Sequence, residues 1–136
     1  MIVIDASAAI ALVLNEDTGE TKIESISVLA SDTVVAPSHW VAEVGNSLVT
    51  NVRRKRIDPR HLSAVIAQLE GLEVRIETPP AFQQMMTIAQ MAMHLGLTFY
   101  DAAYVATAQA RQASLFSLDR KMRAAAAGLA IPVLPR

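Results

Sequence analysis

Four acidic residues of this chain stand next to apolar runs, where a carboxylate is unusual. Asp5 follows the run IVI and Glu43 interrupts WVAEVGNSLV, while Asp101 lies in LTFYDAAYVATA and Asp119 comes directly after SLFSL. Ionised carboxylates are rarely buried unless they are paired, hydrogen-bonded or bound to a metal. If folding brings the four together, their mutual repulsion requires a cation. The pattern therefore predicts a metal-dependent enzyme.

The residue types also indicate which metal and which reaction to expect. The chain has no cysteine and no clustered histidines, so oxygen atoms would be the ligands. Oxygen ligands select a hard ion such as Mg²⁺ or Mn²⁺. Such ions activate water and can clamp both oxygens of an in-line phosphoryl displacement. We therefore expect hydrolysis of a phosphodiester.

Alternating strand and helix patterns must position these acids. Short apolar runs predict strands at residues 2–5, 33–36, 73–77, 115–118 and 131–134. Amphipathic or apolar stretches predict helices at residues 6–14, 21–30, 38–56, 58–71, 80–95, 98–113 and 120–127. This alternation indicates an α/β fold, a three-layer α/β/α sandwich around a mostly parallel sheet.

The predicted elements place the acids at one edge of the sheet. Asp5 and Asp119 end strands, and ligands collect at the carboxyl ends of parallel strands. Glu43 lies about one and a half turns into its helix, and Asp101 has capping-box spacing from Thr98. Taken singly, each acid also fits an ordinary cap or an exposed helix position. The prediction rests on all four pointing to the same edge.

Composition limits the class of protein. A chain of 136 residues with 52% hydrophobic and 18% charged residues predicts one globular domain over residues 1–136. No apolar run approaches the roughly 20 residues of a membrane span. The first residues lack a basic segment and contain Asp5, unlike a signal peptide, so we expect no membrane association and a cytoplasmic location.

The net charge of −1 hides a basic run at residues 53–60, RRKRIDPR. Cations beside an acidic site would suit a nuclease, since they could hold phosphates while carboxylates hold the metal. The run also fits a solvated helix end whose cations offset the helix dipole. The sequence leaves both interpretations open.

At the four acids the chain resembles PIN-domain ribonucleases, specifically the VapC toxins of bacterial toxin–antitoxin modules. The matching segments are VIDASA, AEVGNSL, GLTFYDAAYVATA and LFSLDRKM, in the order and spacing of that family. The last two segments are specific when found together, whereas DxS alone is weak. Ser117 stands where the family usually has Thr, which keeps the hydroxyl.

The resemblance implies a PIN-like fold and an endoribonuclease whose metal ligands and catalytic residues are Asp5, Glu43, Asp101 and Asp119. It implies supporting roles for Ser7, as a hydroxyl near the site or its phosphates, and for Asn46 on the helix face of Glu43. It also implies a homodimer and a cognate antitoxin. Three cations that follow Asp119 are candidate RNA contacts: Arg120, Lys121 and Arg123.

Two other functions remain open at this point. A phosphomonoesterase would use a similar acidic site, but usually has a second Asp two residues after the first, where this chain has Ser7. A non-catalytic PIN-like binding module would keep the fold without the chemistry. For His39, His61 and His94 we expect structural or surface roles, and for at least half of the methionines at 85, 86, 91 and 93 we expect core packing.

Overall fold

The computed structural model describes residues 1–16 and 21–136. In this part of the chain, five parallel strands form one sheet in the order β3-β2-β1-β4-β5. The strands are β1 (Ile2–Ile4), β2 (Val34–Ala36), β3 (Arg75–Ile76), β4 (Ser114–Phe116) and β5 (Val133–Leu134). The prediction of an α/β fold with a parallel sheet is confirmed.

Helices cover both faces of the sheet. They are α1 (Ala6–Val13), α2 (Lys22–Ala30), α3 (Trp40–Arg53), α4 (Leu62–Glu70), α5 (Phe82–Leu95), α6 (Phe99–Arg111) and α7 (Arg120–Gly128). Helix α1 packs against α2, α3 and α4, whereas α6 packs against β1, β4, α5 and α7. These two groups of helices enclose the sheet as the outer layers of an α/β/α sandwich.

The strand order reverses between β1 and β4. The chain builds outward from β1 to β2 and β3, and then returns to the other side of β1 for β4 and β5. Such a switch point opens a crevice beyond the carboxyl ends of the two central strands. Asp5 directly follows β1, and Asp119 comes three residues after β4. The topology therefore places these two acids at the same crevice.

Short polar residues begin several helices as their spacing predicts. Thr98 Oγ1 accepts the Asp101 N–H at 3.1 Å, and Thr21 forms a complete capping box with Glu24. The start predicted for α3 at Ser38 is wrong, because the helix begins at Trp40 after His39 without a side-chain cap.

Helix α1 is the most deeply buried helix of the described chain. All its residues are buried except Ser7, and their neighbours belong to the same core. Helix α5 is the opposite case. Our expectation of core packing for at least half of its methionines is wrong, because Met85, Met86 and Met93 are exposed, the last with 76% of its surface.

The acidic segment NEDTGE between the helices predicted at residues 6–14 and 21–30 lies largely outside the described residues. Across residues 1–16 and 21–136, no helix has both the length and the apolar character needed to cross a membrane.

Candidate active site

Asp5 is a buried carboxylate at the switch point. It is 3% exposed and caps α1, with its Oδ1 accepting the Ala8 N–H at 2.6 Å. Burial raises the pKa of Asp5 from 3.8 to about 6. Hydrogen bonds from the Ser117 side chain and the Ala8 N–H oppose that rise in the pKa, whereas the charges of Asp101 and Asp119 add to it. Asp5 is therefore within the electrostatic field of two other predicted site residues.

Asp119 lies on the β4 side of the crevice. Its Oδ1 accepts the Met122 N–H at 2.8 Å, which caps α7, and its own N–H donates to Ser117 Oγ at 3.1 Å. Ser117 is fully buried and contacts both Asp5 and Asp119. Its hydroxyl therefore links the carboxyl ends of β1 and β4.

Asp101 connects the two aspartates at the strand ends with Glu43. It occupies the first turn of α6, where the helix dipole favours a negative charge. Its pKa is nevertheless raised, first by partial burial and then by the charges of Asp119 and Glu43. The four predicted acids thus form one chain of electrostatic neighbours.

Glu43 is held by two side chains at one oxygen. The Tyr104 hydroxyl donates to its Oε1 at 2.7 Å, and His39 Nε2 lies 3.1 Å from the same atom, at ion-pair distance but without a directed hydrogen bond. His39, followed by the Tyr104 hydroxyl, holds the pKa of Glu43 below its usual range despite partial burial. The His39 ring also packs edge-on against Tyr104, with ring centroids 5.0 Å apart.

This contact gives a testable expectation for Tyr104. Replacing Tyr104 by Phe should raise the pKa of Glu43, because the lost hydroxyl favours the ionised carboxylate. A carboxyl-carbon NMR titration of the two proteins would measure the change. Tyr100→Phe serves as the control, since its ring contacts His39 instead. An unchanged pKa of Glu43 in Tyr104→Phe would contradict this role.

The residue types of the site fit a hard divalent cation. All four acids offer oxygen atoms, and the raised pKa of Asp5 reflects a buried negative charge that a cation would stabilise. Within the described residues, however, no three His, Asp or Glu side chains are arranged as a ready set of metal ligands. Glu43 is engaged by Tyr104, and the two strand-end aspartates each use one oxygen for a helix cap. The four-acid metal site stays a prediction.

Ser7 and Asn46 line a groove beside Glu43. This groove, with a volume of about 360 Å³, lies between α1 and α3 and continues to Arg54 and Arg56. Both predicted supporting residues therefore lie near the acid that they were expected to assist, and their roles there stay predictions.

The cations after Asp119 differ in their surroundings. The Arg123 guanidinium is engaged within the protein, because it donates to the carbonyl oxygens of Ser117, Leu134 and Pro135 at 2.7, 2.9 and 2.8 Å, and its contact with RNA stays a prediction. Arg123 joins the end of β4 to the C-terminal segment. Arg120 and Lys121 are exposed, and their contact with RNA stays a prediction.

Sequence reasoning assigned no role in this site to three residues that the structure places there. His39 was expected to have only a structural or surface role, but it lies against Glu43. Tyr104 and Ser117 are buried polar residues whose hydroxyls need partners, which is a usable signal once burial is predicted. Their spacing from Asp101 and Asp119, three and two residues, was the available sequence clue.

The predicted strands and helices placed the acids at one edge of a parallel sheet, and the sequence resemblance implied a PIN-like fold. The comparison with known families agrees with that resemblance. The PIN domain family matches residues 2–128, so the chain belongs to the PIN domain family.

Two curated relatives come from Pyrobaculum aerophilum. The chain is 30% identical to Exonuclease VapC9 over 92% of this chain and 85% of that protein. It is 27% identical to Ribonuclease VapC3, over 89% of this chain and 91% of that protein.

Two crystal structures share the fold. PAE2754 from Pyrobaculum aerophilum has a TM-score of 0.68 at 24% identity, covering 97% of this chain and 81% of that one. FitAcB from Neisseria gonorrhoeae has a TM-score of 0.55 at 18% identity, covering 99% of this chain and 97% of the other. At these identities the likeness concerns the fold alone.

Proposed function

We propose that this protein is a Mg²⁺- or Mn²⁺-dependent endoribonuclease that hydrolyses RNA phosphodiester bonds as the toxin of a toxin–antitoxin pair. The observation that carries the proposal is Asp5, a buried acid at the switch point under the charges of Asp101 and Asp119. The names of the two VapC relatives support a nuclease.

Asp5, Glu43, Asp101 and Asp119 would hold the cation, which supplies a water molecule activated for attack on phosphorus and offsets the charge of the phosphate. The protein contributes a fixed arrangement of these acids. The backbone N–H groups of Ala8 and Met122 each fix one oxygen of Asp5 and Asp119. Ser117 ties the two strand ends together, and Tyr104 orients Glu43. These supporting hydrogen bonds hold the acidic side chains in place, so the side chains need to move less when the cation binds.

A closed circular RNA tests the activity and its mode together. We expect the purified protein to convert the circle to linear RNA with Mg²⁺ or Mn²⁺, and excess EDTA to stop the reaction. If the circular RNA stays intact while a linear RNA is shortened, the protein is an exonuclease and not an endonuclease. The name of one relative suggests that alternative. A protein that binds Mn²⁺ in calorimetry but cleaves neither RNA, and instead hydrolyses 4-nitrophenyl phosphate, would overturn the proposal.

A cognate antitoxin and a second copy of the chain are the proposed protein partners. Exposed apolar side chains on α5, among them Phe82, Met86 and Met93, form a surface that a monomer rarely leaves bare. A cavity of about 510 Å³ between α5 and α6 reaches His39 and Tyr100 beside the acids. An antitoxin segment seated there would lie next to the proposed site. We place this activity in the cytoplasm, where RNA is accessible.

A further inference from the structure

One face of α3 carries a continuous row of polar side chains that begins at Glu43. Ser47, Thr50 and Arg54 follow at spacings of three or four residues, so they lie on the same side of the helix and line one groove. At a rise of about 1.5 Å per residue, the row from Glu43 to Arg54 spans roughly 16 Å. At about 3.4 Å per stacked nucleotide, this length accommodates up to roughly five nucleotides of one strand.

The turn after α3 brings a second arginine to the same groove. Lys55 adopts a left-handed conformation with φ 59°, and the Arg56 N–H returns to the Asn51 carbonyl oxygen at 2.9 Å. Ile57, which is 4% exposed, anchors the turn in the core. As a result Arg54 and Arg56 line the groove, whereas their neighbours Arg53 and Lys55 are not among its lining residues.

The other residues of the groove are suited to a sugar–phosphate backbone. Ser7 is the single exposed residue of α1, and it faces the groove opposite α3. Hydroxyl and amide groups such as those of Ser7, Asn46 and Thr50 contact phosphate and sugar without reading the base sequence. Two acids, Glu16 and Glu43, also line the groove, so the binding of a polyanion there depends on the positive charge of the arginines. Within residues 1–16 and 21–136, neither Arg54 nor Arg56 forms an ion pair with a carboxylate.

We propose that the groove between α1 and α3 binds the single-stranded RNA backbone on one side of the scissile bond, with Arg54 and Arg56 contacting phosphates. This inference rests on the proposed ribonuclease function and adds the path of its substrate. It also separates the two interpretations of the basic run. Cations that only offset the helix dipole would be interchangeable. An RNA-binding groove instead requires the two cations that line it, Arg54 and Arg56.

Two double variants with the same loss of charge provide the test. Arg54→Gln with Arg56→Gln removes the two groove cations, and Arg53→Gln with Lys55→Gln removes the other two. Binding of a labelled single-stranded RNA is measured by fluorescence anisotropy in EDTA, so that cleavage does not interfere. We expect the groove variant to raise Kd about tenfold or more and to reduce the salt dependence of binding by about two phosphate contacts. The control variant should change Kd by less than about twofold.

Further measurements distinguish an incorrect RNA-binding groove from a misfolded variant and from an incorrect proposed function. Thermal unfolding and Mn²⁺ affinity by calorimetry should be the same in both variants, and the control variant should keep the kcat and KM of the original protein. Equal weakening of RNA binding by the two variants would overturn the proposed groove in favour of general electrostatic attraction. If neither variant weakens binding, the RNA binds elsewhere and the proposal is also overturned. Absence of metal-dependent cleavage by the unaltered protein would instead refute the proposed function.

Discussion

Replacing Asp5 by Asn is expected to lower kcat for metal-dependent RNA cleavage by at least about a hundredfold, since even residues that only support metal ligands cost about ten- to a hundredfold. The variant should still fold. Asn keeps the side-chain oxygen that accepts the Ala8 N–H, and Asn is as good an N-cap as Asp. The substitution therefore removes the charge of the proposed ligand and little else. The rate of linear product formation from circular RNA in Mg²⁺ measures the loss.

A matched charge change elsewhere provides the control. Glu70→Gln removes one negative charge from the exposed surface of α4 and should leave the rate unchanged. The Asp5 variant should bind uncleaved RNA at least as well as the original protein, because one repulsive charge is gone. Cleavage by Asp5→Asn at the original rate would remove Asp5 from the proposed mechanism.

The stability of the metal-free protein should fall as pH rises through the range in which Asp5 titrates. The folded-state pKa of Asp5, about 6, lies above its ordinary value of 3.8, so the folded protein holds this proton more tightly. The free energy of unfolding therefore decreases from about pH 4 to above pH 6. At about 1.4 kcal/mol per pH unit, the loss from Asp5 is on the order of 3 kcal/mol. The raised pKa of Asp101 acts in the same direction, and the lowered pKa of Glu43 acts against it.

Comparison with Asp5→Asn isolates the contribution of Asp5. Urea unfolding in EDTA should show that the free energy of unfolding of the variant rises relative to that of the original protein between pH 4 and pH 7, because the amide does not titrate. Mg²⁺ added at pH 7.5 should stabilise the original protein, by about 2.7 kcal/mol at a hundred times its Kd, and should have little effect on the variant. A stability difference that stays constant with pH would show that Asp5 is not buried as described.

Much of this fold could be predicted from local sequence because its signals act over a few residues. Asp5, Thr98 and Asp119 each accept a backbone N–H three residues ahead, so helix starts could be recognised from spacing alone. Apolar runs next to Asp5 and Asp119 marked the strands that carry them to one edge. The general place of the acids followed from these two features.

The remaining contacts join residues too far apart in sequence for such signals. Tyr104 meets Glu43 across 61 residues, and no local pattern relates them. Arg123 was assigned to RNA because it follows Asp119, yet its partners include carbonyl groups 11 and 12 residues away. The basic run had two interpretations because the backbone turn at Lys55, which separates its cations, depends on the burial of Ile57. Each of these contacts belongs to the tertiary packing, which local sequence does not reveal.

The contacts of Arg123 mean that residues 134 and 135 help to shape the crevice at the switch point. Its guanidinium joins the backbone of Ser117, the serine whose hydroxyl contacts Asp5 and Asp119, to the backbone at Leu134 and Pro135. Trimming the carboxyl terminus by three residues would remove two of the three acceptors and loosen the loop that carries Asp119. Deletions and tags in this protein should therefore leave residues 134 and 135 in place.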